Sequence, residues 1–252
     1  MCTLIVAHRH FDDLPVLVAA NRDEHLARPF RGPSLRTSGS GVVMAPTDVQ
    51  AGGTWLGLNS SGVFAAITNR LAGLPDRSRS SRGQLVLLAL SGRTAAEGAR
   101  AVAGLAAADY NPFHLLVVDR ETVWLVRHGS DGLSRCLLGP GVHIVTERSF
   151  GAAPTRRDGW LRDQVSAWGD QPPTDARLAA LMGTHGTPTT ERTCVHLEAR
   201  GYGTRSSSIL RMGHELDSVT WLEAAGPPCV TDHAAVDLTG LMAAQGAAAP
   251  LE

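Results

Sequence analysis

The sequence predicts an α+β fold in which two β-sheets are each covered by a pair of helices. The hydrophobic patterning runs in the order strands, helical pair, strands, helical pair, strands, which two sheets under two helical layers use efficiently. The run Val16-Leu17-Val18-Ala19-Ala20 is apolar on both faces, as in a strand inside a covered sheet. A chain of 252 residues that is 43% hydrophobic can also bury a full core within one domain. Only 5% of the residues are aromatic, so that core must be built from Ala, Val and Leu.

The elements follow in order. Leu4, Val6 and His8 fall on one face of a first strand, and Ile5 and Ala7 on the other. Pro15 precedes the second strand, which stops at Asn21-Arg22-Asp23-Glu24. After a loop around Arg28-Pro29 comes a strand over Val42-Val43-Met44-Ala45. Trp55 to Leu58 and Val63 to Ile67 flank Asn59-Ser60-Ser61-Gly62, a hairpin turn signal. Residues 70–82 are polar and read as an exposed loop, a candidate lid. Helical spacing takes over across 83–107 and is broken by Gly92. Strands return at 113–118, 123–127, 135–138 and 142–145. A second helical pair spans 156–168 and 174–182, and strands near 207–211 and 218–221 close the pattern. Residues 1–252 thus form one domain, with 225–252 an extension or tail; no repeat of 20–50 residues is present.

Composition excludes several functions. All 23 basic residues are Arg, balanced against 24 acidic ones for a net charge of -1, so a nucleic-acid partner is not expected. Without Lys there is no Schiff-base lysine and no phosphate-loop lysine. No apolar run approaches the ~18–20 residues of a membrane span. The N-terminus lacks the basic region and cleavage site of a secretory leader. Cys2, Cys136, Cys194 and Cys229 are far apart without a CxxC pair. Neither a disulfide nor a zinc framework is therefore expected, and a reducing, cytoplasmic setting is. His8 and His10 share a strand face but lack a third ligand, so no metal site is expected. The serines lack a Gly-x-Ser-x-Gly elbow.

Four features carry candidate chemistry. Met before a small residue is removed by aminopeptidase, which would leave Cys2 with a thiol and a free α-amine of pKa ~7.7–8.0, near enough to neutrality to act as its own base. The bland alternative is a cysteine that merely starts a strand. Arg22 and Asp23 close a buried strand at a sheet edge; they could tune a thiol or simply form a salt-bridged turn. Gly52-Gly53-Thr54-Trp55-Leu56-Gly57 allows close backbone approach, to a ligand or to other backbone. Asn69, at a strand end, could donate to an oxyanion. Gly201-Tyr202-Gly203-Thr204-Arg205 could grip an anionic or carbonyl group, or be a plain loop.

Taken in order, Met1-Cys2, Asn21-Arg22-Asp23-Glu24, Gly52 to Gly57, Thr68-Asn69, Ser81-Arg82-Gly83, Tyr110-Asn111 and Gly201 to Arg205 resemble the NRDE family, whose animal members are called transport and Golgi organisation proteins. The resemblance spans residues 2–211. It implies a four-layer αββα sandwich of N-terminal-nucleophile hydrolase type with Cys2 as nucleophile. More distantly the chain resembles the penicillin V acylase and bile-salt hydrolase group, in which Cys attacks an amide, an Arg and an Asp follow on the second strand, and Asn side chains shape the oxyanion hole. On that likeness Cys2, Arg22, Asp23 and Asn69 are the catalytic candidates, and Asn21, Trp55, Tyr202 and Arg205 the substrate-binding ones. One departure stands out: Thr146-Glu147 occupies the place where related chains carry a small residue and Asn, and an ionised Glu accepts but does not donate. The resemblance implies a small-molecule acyl substrate and no cofactor, and leaves a homo-oligomer open. It supports two functions of different class: a Cys-dependent amidase, thioesterase or acyltransferase, and a haem or acyl-CoA/lipid carrier on the same fold.

Overall fold

The structure is a computed structural model that describes residues 2–39, 41–129, 132–150, 153–215 and 217–246. Met1 and residues 247–252 lie outside the described residues. In chain order the strands and helices are β1 (Thr3–Phe11), β2 (Leu14–His25), β3 (Phe30–Ser38), β4 (Gly41–Asp48), β5 (Leu56–Asn59), β6 (Phe64–Asn69), α1 (Gly83–Leu90) and α2 (Ala95–Ala103). Then come β7 (Phe113–Val118), β8 (Val123–Gly129), β9 (Gly132–Leu138), β10 (Gly141–Val145), α3 (Arg156–Ser166) and α4 (Asp175–Met182). The last described elements are β11 (His196–Leu197), β12 (Tyr202–Met212), β13 (Val219–Ala224), β14 (Ala234–Ala235) and α5 (Thr239–Gly246).

The strands form two antiparallel sheets. One has the order β10-β1-β2-β12-β13-β14, with β11 added on β12. The other runs β3 through β9 in sequence order. Alternation along each strand sorts its side chains into different layers. Leu4 and Val6 of β1 and Val16 and Val18 of β2 meet Leu56, Phe64 and Leu116 of the second sheet in the central core. Ile5, Ala7, Leu17 and Ala19 face the other way, against Leu161 of α3 and Leu178 and Met182 of α4. On the far side of the second sheet, Ala65, Leu115 and Val117 pack on Leu85 and Ala89 of α1 and Ala99 of α2. Helix, sheet, sheet, helix is thus the layer order, and both β1 and β2 are covered on each face.

Side-chain caps set several helix starts. Thr94 accepts from the Glu97 amide, Thr174 from the Arg177 amide, and Thr155 forms a full capping box with Asp158. Gly98 lets α2 cross α1 closely, since a Cβ there would lie 2.3 Å from the Ala89 carbonyl oxygen. Gly53 meets Gly83 in the same way, a Cβ coming within 2.6 Å of its backbone, while Gly52 before it supplies a positive φ of 71°.

Three expectations change. Residues 30–38 form a strand although their sequence, rich in Arg, Ser, Gly and Pro, lacks an apolar run. β3 is an edge strand, where a proline is tolerated, and a register shift between Arg31 and Ser34 takes up Pro33. His8 and His10 do not share a face: a bulge with Arg9 at φ 46° separates them, leaving His8 buried and His10 exposed. The described residues from 225 to 246, within the stretch expected as an extension or tail, return to the body of the fold. β14 pairs with β13, and Leu238 and Leu241 enter the central core at 9% and 0% exposure. No described helix is long and apolar enough to cross a membrane.

Candidate functional site

The C-terminal end of β2 organises the site. Antiparallel pairing sets Thr3 of β1 opposite Asn21 and Thr204 of β12 opposite Asp23, so Cys2 arrives beside this stretch. The Cys2 thiol donates to the Asp23 carbonyl oxygen at 3.9 Å, and the Tyr202 hydroxyl donates to the same oxygen at 2.9 Å. Cys2, Ala20 and Arg22 face Trp55, which precedes β5, and Ala66 and Thr68 of β6 across a cavity of about 20 Å³. That is room for little more than one water molecule.

Arg22 is 5% exposed, and aromatic rings rather than solvent surround its charge. Its guanidinium carbon lies 4.3 Å from the Trp55 ring centroid and 5.8 Å from that of Phe30, which attract it through their quadrupoles. Glu24 at 3.7 Å and Asp48 at 4.0 Å supply negative charge to Nη2. Nη1 is buried and has no hydrogen-bond partner among the described residues. Asp23, by contrast, is turned toward the helical side. Its Oδ1 accepts from the Thr204 hydroxyl at 2.7 Å, and its Oδ2 lies 3.9 Å from Nη2 of Arg157. Burial pushes the Asp23 carboxyl up to about 6, with Arg157 and Thr204 opposing. Burial also raises the Cys2 thiol, Asp23 adds to the rise, and Arg22 opposes it. The sulfur is accordingly a thiol donor in this arrangement.

The other expected residues divide. Trp55 stacks on Arg22 and lines the cavity. Arg205 lies 5.2 Å from the Phe30 ring centroid, with its Nε buried and unpartnered among the described residues, so Phe30 sits between two guanidinium groups. Asn21 points the other way: its amide donates to the carbonyls of Met182 and Thr193, each at 2.9 Å, bracing α4 and the following loop. Asn69 is exposed. Neighbours on a strand face opposite sides, and it is Thr68 that turns toward Cys2. The Thr68 hydroxyl is buried without a hydrogen-bond partner among the described residues.

Sequence reasoning missed Arg157, Phe30 and Thr68. Arg157 is 3% exposed, donates a short hydrogen bond to the Thr3 hydroxyl, and lies 3.9 Å from Oε2 of Glu147. Its spacing of four from the buried Leu161 places both on the inward face of α3, a signal available once that helix was expected. Glu147, which departs from the pattern of related chains, thus answers a buried cation. Phe30 was hidden because β3 was not anticipated. The wide spacing of the cysteines predicts no zinc framework, yet Cys194, His196 and Cys229 bring their ligand atoms within 4.8 Å of one another. Their separation along the chain concealed a contact between two loops.

A family model described as Transport and Golgi organisation 2 matches residues 1–225. The chain belongs to that family. Similar curated proteins are the Transport and Golgi organization protein 2 homologs of Bos taurus, 38% identical over 85 residues, and of Homo sapiens, 30% identical over 122 residues. These matches cover 30% and 44% of this chain and 31% and 44% of the relatives, so they span less than half of the relatives' length. Solved structures extend the likeness to most of the chain. A Caenorhabditis elegans N-acylethanolamine-hydrolyzing acid amidase ortholog matches with a TM-score of 0.59 at 10% identity, over 83% of this chain and 92% of that one. A conjugated bile acid hydrolase variant from Clostridium perfringens matches at 0.58 and 12% identity, over 96% and 94%. Penicillin V acylase from Agrobacterium tumefaciens matches at 0.53 and 12%, over 95% and 86%. The fold is the αββα sandwich of N-terminal-nucleophile hydrolases.

Proposed function

We propose that this chain is a cysteine-dependent hydrolase or acyltransferase that works on an amide or thioester carbonyl through an acyl-Cys2 intermediate. The observation that carries the proposal is a part-buried thiol beside a small cavity lined by Arg22 and Thr68, the Nη1 of one and the hydroxyl of the other being buried without a hydrogen-bond partner among the described residues. Buried polar groups are normally satisfied, so an unsatisfied set around a nucleophile suits an incoming carbonyl. Removal of Met1 frees the Cys2 α-amine. The amine takes the thiol proton, the thiolate attacks the carbonyl carbon, and the resulting oxyanion accepts a hydrogen bond from the Thr68 hydroxyl, in the role first expected of Asn69. The α-ammonium then protonates the leaving amine or thiol, and water or an acceptor amine releases the acyl group. The Asp23 carboxylate, held by Thr204 and Arg157, balances the ammonium charge. Arg205 is suited to an anionic group on the substrate. The cavity must widen to admit any acyl group, and Trp55 is the wall to move. Four free cysteines fit the cytoplasmic setting of this reading.

The carrier reading has one observation of its own: the names of the curated relatives speak of transport and Golgi organisation and of no reaction. One experiment separates the two. Intact mass establishes loss of Met1, after which wild type and Cys2→Ser are incubated with N-acyl amides and acyl-CoA thioesters. Catalysis predicts an acyl adduct on Cys2 and turnover that falls by several powers of ten in the variant. Absence of both in processed wild type, with equal binding of haem or acyl-CoA by the two proteins, would establish the carrier.

A further inference from the structure

We propose that Cys194, His196 and Cys229 form a binding site for a thiophilic divalent cation of the zinc type, outside the Cys2 cleft. Cys194 is fully buried at the end of the loop that follows α4, His196 opens β11, and Cys229 lies in the loop joining β13 to β14. His196 Nε2 stands 3.4 Å from the Cys194 sulfur and 3.2 Å from the Cys229 sulfur. A tetrahedral zinc ion, with Zn–S of ~2.3 Å and Zn–N of ~2.0–2.1 Å, separates its nitrogen and sulfur ligand atoms by about 3.6 Å. The two nitrogen–sulfur separations therefore need to open by only a few tenths of an ångström.

The histidine is also oriented for the task. Its Nδ1 lies 3.6 Å from an exposed Glu198 carboxylate oxygen, so a slight approach on metal binding would form the carboxylate–histidine hydrogen bond that keeps the proton on Nδ1 and leaves the Nε2 lone pair for the metal. Two thiolates and one neutral imidazole suit zinc better than calcium or magnesium, which require oxygen ligands. As the metal enters, each thiol gives its proton to solvent, so binding releases two protons. Cys229 borders a cavity of about 610 Å³ that also includes His185, Asp175 and His233. The fourth coordination position opens toward this cavity and takes a water molecule. His185 packs edge-on against His196, with ring centroids 5.4 Å apart, and shapes that approach without being a ligand. The ion would join the α4–β12 loop to the β13–β14 loop across 33 residues of sequence.

The site is tested with the full chain, reduced, stripped with chelator and titrated with cobalt(II) as a spectroscopic substitute for zinc. One equivalent should bind, with thiolate-to-cobalt charge-transfer absorption and the intense visible bands of a tetrahedral ion. Cys194→Ser and Cys229→Ser should each lose most of the charge-transfer band, and His196→Ala should weaken binding at least tenfold. Cys2→Ser, Cys136→Ser and His185→Ala should bind like wild type, which separates this site from the proposed nucleophile. Alkylation mapped by mass spectrometry gives a second measure that needs no variant: zinc should protect the part-buried Cys229 and leave the exposed Cys136 reactive. Binding that survives the double replacement of Cys194 and Cys229 would overturn the proposal. So would a wild-type chain that takes up no stoichiometric metal, or one in which the two thiols form a disulfide that zinc does not prevent.

Discussion

Position 68 shows how much one residue's register matters. Thr68 and Asn69 are adjacent, yet only Thr68 borders the Cys2 cavity, because successive side chains of a strand face opposite sides. If Thr68 holds the oxyanion, Thr68→Val should lower kcat by about 10²-fold, the usual loss for one such donor, whereas Asn69→Ala should cost less than tenfold. Steady-state kinetics on the substrate found in the adduct screen checks this, and the reverse ranking would restore Asn69 to the role. Glu223 offers a prediction about stability. It is buried, accepts a short hydrogen bond from Ser208 and another from Trp221 Nε1 at 3.2 Å, and burial pushes its carboxyl from 4.5 up to about 7. As pH rises past 4.5 the unfolded chain releases this proton while the folded chain keeps it, so stability falls until about pH 7 and then levels. Glu223's share of that fall is about 3 kcal/mol at 1.36 kcal/mol per pKa unit. Denaturant unfolding at pH 4.5 and pH 8 should show the Glu223→Gln variant losing less stability than wild type by about that amount.

At the scale of elements, α1 and α2 depend on a close crossing more than on their own helical propensity. Helices of 8 and 9 residues are marginal in isolation, so tertiary packing must hold them. Gly98 faces the Ala89 carbonyl with no space for a methyl group. Gly98→Ala should therefore cost about 1–3 kcal/mol in denaturant unfolding despite the better helix propensity of Ala, because the two helices must separate. A neutral or stabilising result would show that the crossing yields readily. Asn59 ties the β5–β6 hairpin to the same pair, its amide donating to the carbonyls of Leu90 at 2.8 Å and Gly92 at 2.7 Å. Both helices and this hairpin were legible in the sequence, since Gly92 and the Asn-Ser-Ser-Gly turn mark their ends. β3 was not legible, because an exposed edge strand needs no apolar alternation and its pairing with β4 supplies the order.

Over the whole molecule, the two sheets close on a shared core to which the last described residues contribute. Leu241, on α5, is fully buried among side chains of both sheets, although nothing in the Ala-rich C-terminal sequence distinguishes it from a tail. Leu241→Ala should cost about 2–4 kcal/mol and lower Tm, as expected for a core leucine; a change near zero would return the segment to the status of a tail. By itself, the sequence determined the order of most elements, β3, β11, β14 and α5 excepted, the two faces of β1, and the candidates Cys2, Arg22 and Asp23 at the start of β1 and the end of β2. These follow from local periodicity and from residues one pairing step apart. Only the tertiary structure decided that Thr68 rather than Asn69 borders the cleft, that Asn21 braces α4, that Arg157 stands beside Asp23, and that Cys194, His196 and Cys229 converge. Each of those depends on which way a side chain turns, or on which loops touch, and both are set when separate layers pack rather than by any pattern within one stretch of chain.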